Sequence, residues 1–186
     1  MDEALKVEQL PDGTCSLDEL AADHRDCERQ VAEVRDNATF YERTRAEEHV
    51  SQLGKLATYI KQSDPDEAVH CLRRQRELAR LIGSAQGHPV EWWLRLPLFL
   101  QSAGRFDEAM VEFEALRASP PVARQDNSHM RSQDDIDLLI HAELAVIYDK
   151  MRLACRREGH RDKAAEYESL SKGHRKEWEI LYQKLL

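Results

Sequence analysis

Eight histidines and four cysteines are the residues of this chain best suited to chemistry, and their spacing argues against it. The histidines are His24, His49, His70, His88, His129, His141, His160 and His174. The cysteines Cys15, Cys27, Cys71 and Cys155 lie far apart and form no CxxC pair. Zinc sites and small disulfide frameworks need closer or more regular spacing. His70 and Cys71 are adjacent, so on a helix they point to different faces. A metal would need ligands converging across helices, and the spacing predicts no such set. HExxH, GxSxG, P-loop and Gly-rich nucleotide turns are all missing from the sequence. The acidic groups Glu47-Glu48, Asp64 with Asp66 and Glu67, and Asp134-Asp135 fall at helix starts or on polar faces. There the helix dipole and solvent account for them without catalysis. The expectation is no catalytic residue, no metal, no cofactor and no enzyme.

Composition narrows the class. The formal charge is −8, which gives no general attraction to nucleic acid. Only 7 glycines and 6 prolines occur in 186 residues, and 33% of the chain is charged, which fits a mostly helical protein. The start, MDEALKVEQLPDG, is acidic and lacks the apolar core of a secretory leader. No stretch approaches ~18 apolar residues, so no membrane span is expected. Widely spaced, reduced cysteines suit a cytoplasmic setting.

Helical periodicity organises the rest. Ser16 with Glu19 matches a capping box. Leu20, His24, Cys27, Val31, Val34, Ala38 and Tyr41 then follow at steps of three and four, a narrow stripe like a hairpin seam. A helix with Val50, Leu53, Leu56, Ala57 and Ile60 follows. Ser63-Asp64-Pro65-Asp66-Glu67 opens another, because proline fits a first turn and acids suit its positive end. Ala118 to Ser132 has two prolines and no period, and reads as a loop. Ser132 with Asp135 matches a second capping box. The last helix should carry Ala164, Ala165, Tyr167, Leu170, Trp178, Leu181 and Leu185 on its apolar side. The expected division is an N-terminal helical segment, 1–48, and a helical domain, 49–186.

The stretch EWWLRLPLFLQSAGRFDEAMVEFEALRASPP, Glu91 to Pro121, is the most specific. Trp93, Leu96 and Leu100 share one face of a first helix, and Ala109, Phe113 and Leu116 one face of a second, with the turn at Gly104. Related turns read SDPDEAV at Ser63 and GHRDKAA at Gly159. A glycine or polar residue turns the chain, an acid starts the second helix, and an alanine lets the helices approach. This unit resembles a tetratricopeptide repeat, with Gly104, Ala109, Phe113 and Pro121 where that family has its turn glycine, small residue, large residue and closing proline. Pro97 departs from the pattern, and a proline inside a helix should kink it. Weaker units carry Leu56, Tyr59, Ala68 and Leu72, and then Tyr148, Met151, Cys155, Gly159 and Ala164. The alanines Ala68, Ala109 and Ala164 are 41 (109−68) and 55 (164−109) residues apart, against ~34 in a regular array.

The resemblance implies an all-α fold of antiparallel helix hairpins stacked as an irregular right-handed superhelix. It also implies protein or peptide binding, in an adaptor or regulatory role. First helices line the concave face in that family, so Lys61, Arg95, Gln101, Lys150, Arg156 and Arg157 become its candidates. They would make a locally basic groove suited to an acidic partner. Trp93 is expected in the core, and Trp92 on a partner-facing or inter-repeat surface. The competing functions are a homo-oligomerisation module and, from a different class, a small-molecule or metal-dependent enzyme on a helical scaffold.

Overall fold

The structure is a computed structural model that describes residues 40–124 and 132–186. The described residues form six α-helices and no strand. They are α1 (Phe40–Ile60), α2 (Pro65–Leu81), α3 (Val90–Ser102), α4 (Phe106–Ala118), α5 (Gln133–Arg157) and α6 (Arg161–Leu185). Short 3-10 turns lie at Ser84–Gly87 and Pro121–Arg124. The chain divides into two compact units between Ala85 and Gln86. Residue 48 lies inside α1. The Ser16–Glu19 box and the stripe from Leu20 to Ala38 fall outside the described residues. Among those described, no helix is long and apolar enough to cross a membrane.

In the first unit α1 and α2 form a hairpin. Asp64 caps α2 by accepting the Glu67 N–H at 3.0 Å, Pro65 takes the first helical position, and Asp66 and Glu67 sit in the first turn. Val50, Leu53, Leu56, Ala57 and Ile60 face Ala68, Leu72 and Leu78 in the buried interior. The Gln75 side chain donates to the Val50 carbonyl at 2.6 Å, which satisfies a buried amide. Tyr59, expected at a repeat core position, is exposed.

In the second unit α3 pairs with α4 and α5 with α6, while α5 also packs on α3, α4 and the Pro121–Arg124 turn. Both hairpins turn the same way. Gly104 (φ 74°) and Gly159 (φ 81°) adopt the left-handed conformation that side chains disfavour. The Arg105 N–H reaches the Leu100 carbonyl and the His160 N–H reaches the Cys155 carbonyl, each at 2.9 Å. The glycine amides bond Gln101 and Arg156 carbonyls. This is the Schellman pattern that satisfies the last carbonyls of a helix.

Ala68, Ala109 and Ala164 each occupy the fourth position of the helix after the turn. Their exposures are 0%, 0% and 8%, and each amide bonds the carbonyl of the residue just before its helix at 3.0 Å. A methyl at that position allows the close crossing of the two helices.

Pro97 lies fully buried within the continuous helix α3. The expected Ala118–Ser132 loop is partly structured. Pro120, Pro121 and Val122 are buried, and the Val122 N–H donates to Glu143 Oε2 at 2.9 Å. A local reading misses this because the acceptor lies on α5. Ser132 and Asp135 form the expected capping box. The last helix differs from expectation. Of its apolar side only Ala164 is buried, while Ala165, Leu170 and Leu185 are exposed. No described element other than α5 packs broadly on α6, so among the described residues most of its apolar side is left uncovered.

Candidate functional site

Of the proposed groove residues, the structure brings Gln101 and Arg157 into direct contact. Arg157 is the last residue of α5 and Gln101 lies in the last turn of α3. Arg157 Nη1 donates to Gln101 Oε1 at 2.9 Å, so the two helices end side by side. Gln101 is only 8% exposed, which makes it a structural acceptor more than an open surface. Arg156 and Arg157 also stand where helix carbonyls concentrate negative potential, a favourable place for cations. By helical phase Lys150 lies two turns before Arg157 on the same stripe of α5. Arg156 is exposed, and Lys150 is half-buried.

Arg95 lies about a third of a turn around α3 from Gln101. Its guanidinium lies over the Phe99 ring at 5.8 Å, and burial pulls its pKa below the usual arginine range. That is a cation–π contact within one helix. Lys61 follows α1 in the first unit and is half-buried.

Trp93 is buried as expected. Trp92 is half-buried, on the side of α3 opposite Gln101 by helical phase. It stacks on His88 with centroids 4.2 Å apart and rings 8° from parallel, and meets the edge of Trp93. Burial lowers the His88 pKa and so favours the neutral ring. Trp92 and His88 thus support each other.

The two described thiols, Cys71 and Cys155, are both buried and not poised for chemistry. Burial, and then the neighbouring Glu67 carboxylate, push the Cys71 thiol up to about 12. Burial also raises Cys155. A reactive thiol needs the opposite shift. Among the described residues no group of three or more His, Cys, Asp or Glu side chains is placed to hold a metal.

One constellation escapes the sequence reading. His141 on α5 meets His174 on α6, Nδ1 to Nδ1 at 2.9 Å. His174 lies flat on Tyr148 at 5.4 Å and 13°. Tyr148 lies 6.1 Å from Tyr167, whose hydroxyl donates to Glu114 Oε1 at 3.3 Å. Burial, then Glu114, push the Tyr167 phenol up to about 12. The signal was available. Folding the sequence back at Gly159 brings Tyr148 opposite Tyr167, Ala145 opposite Ser171 and His141 opposite His174.

No family model, curated protein or solved structure matches the chain.

Proposed function

We propose that the chain is a non-enzymatic scaffold that binds a protein or peptide through tetratricopeptide-like hairpins. One observation carries the reading: α5 packs against both helices of the preceding hairpin, and the Gln101–Arg157 bond joins the ends of the two first helices. Stacked repeats need this neighbour relation to build a continuous face. The repeated turn geometry at Gly104 and Gly159 supports it.

The partner surface on this reading is the α3–α5 face, with the exposed Arg156 and the half-buried Lys150 as its cations and an acidic peptide as its ligand. Fluorescence anisotropy with acidic, neutral and basic peptides tests it, using Lys150→Glu/Arg156→Glu as the variant. Acidic peptides should bind best and weaken with salt. Two lost charge-assisted contacts at about 1.5–3 kcal/mol each should weaken binding a hundredfold or more. Equal binding of all three peptides, or an unaffected variant, overturns the reading.

Self-association is a second reading, favoured by the end of α6. Ile180, Tyr182 and Leu185 are 52%, 41% and 40% exposed there. On α5, Ile136, Leu139, Ile140 and Leu144 are only half-buried. Exposed apolar side chains gathered at one end of a helix are candidates for such contacts. Light scattering distinguishes the two: a concentration-dependent dimer, lost on Ile180→Glu/Leu185→Glu, supports self-association.

A further inference from the structure

The facing Nδ1 atoms of His141 and His174 can share only a limited number of protons. Their ring centroids are 5.0 Å apart, so the nitrogens meet nearly head-on. A neutral imidazole has one donor and one acceptor nitrogen. Two neutral rings therefore make one N–H···N bond. A single added proton turns it into a charge-assisted bond, which is stronger. A second added proton leaves two donors facing each other, without an acceptor and with like charges in contact.

We propose that His141 and His174 form an acid-released latch between α5 and α6, closed while the pair holds at most one added proton and opened by the second.

The surroundings favour this behaviour. Tyr148 on α5 covers one face of His174 and fixes its plane. Burial and the His141 charge disfavour charging of His174, while Glu177 on its own helix favours it. The result is a His174 pKa below the usual histidine range. From α4, Arg117 engages Tyr148 and Glu114 engages Tyr167, one ring away from the pair. Among the described residues, no charge from α3 shifts His174.

Among the described residues, little else holds the part of α6 beyond the latch. Lys184 pairs with Asp134 at 2.5 Å on the surface, Trp178 and Leu181 are half-buried, and the other residues from 175 on are exposed. In an unfolded chain both histidines charge near pH 6.5. In the folded chain, burial and the facing His141 charge hold His174 below that value. Stability of this end is therefore complete above that range and falls as the pH drops below it.

Amide hydrogen exchange of the full chain, corrected for intrinsic rates, tests the latch at pH 7.5 and 5.5. Peptides covering 175–185 should lose protection on acidification, about tenfold for each pH unit below the histidine range. His174→Gln cannot take up the proton and should show no such loss. His141→Gln serves as a second variant with the same expectation. Asp134→Asn removes the Lys184 pair alone and should keep the acid response. Histidine ring NMR of the wild type should show two separated titration steps for the pair. Undiminished protection in the wild type, an equal loss in both glutamine variants, or a response abolished by Asp134→Asn overturns the proposal.

Discussion

Arg157 on α5 donates to the buried carboxamide oxygen of Gln101 on α3 across 2.9 Å, tying together residues 56 apart in sequence. Removing the guanidinium leaves that oxygen without this donor in a nearly dry place. Arg157→Ala should therefore cost about 1–3 kcal/mol, the penalty of an orphaned buried polar group. Gln101→Leu in the same background removes the orphan and should recover part of the loss. Urea unfolding of the four members of this cycle checks it, and strict additivity would argue that the bond contributes nothing.

The turn glycines should respond to alanine with one sign and the helical glycine with the other. No atom lies within 4 Å of where a Cβ would stand at Gly104, Gly159 or Gly173, so backbone conformation alone decides. Gly104→Ala and Gly159→Ala force a side chain into the left-handed region and should each cost about 1–2 kcal/mol. Gly173→Ala, within α6, should stabilise by about 0.5–1 kcal/mol. Thermal and urea midpoints moving in the same direction for all three would contradict the turn geometry.

The close crossing at Ala109 leaves no room for a larger residue. Ala109→Leu should overpack the α3–α4 contact at a cost of about 1–3 kcal/mol. Ala165→Leu, on an exposed position of α6, should stay within about 0.5 kcal/mol of wild type. Denaturation midpoints of the pair provide the comparison.

Stability should decline on the alkaline side. The folded chain holds the Cys71 and Tyr167 protons up to about pH 12. The unfolded chain releases them near 8.5 and 10. The unfolded state thus loses protons first, so stability is complete below about pH 8 and falls as the pH rises through 8.5 towards 12. Urea midpoints between pH 7.5 and 10.5 should show the fall. Cys71→Ala should flatten its early part, and Tyr167→Phe its later part. A flat profile in the wild type would show that neither group is shielded by the fold.

Short-range chemistry was legible in the sequence, and long-range geometry was not. The Asp64 cap, the Ser132–Asp135 box, the turns at Gly104 and Gly159 and the buried alanines after them all depend on a few neighbouring residues. The Pro121–Arg124 turn depends on Glu143, twenty-one residues beyond Val122, and so read as loop. Helical period placed an apolar side on α6, but period cannot say whether anything covers it. Gln101 and Arg157 were each legible as first-helix positions, yet only packing turns them into partners. His141 and His174 looked like two scattered histidines until the hairpin turned at Gly159.

The hairpin connectivity bears on how quickly the chain finds its fold. Helix partners in each unit are consecutive in sequence, so α1 meets α2, α3 meets α4 and α5 meets α6 after only a short turn. Little chain entropy is spent in closing such small loops. Proteins dominated by local contacts of this kind fold in microseconds to milliseconds. Within the second unit, the slower event should be the docking of α5 onto α3 and α4, because only that step must close the longer excursion through residues 119–132. Hairpins would form early and often, and the bond between Gln101 and Arg157 would mark the arrival of the last one.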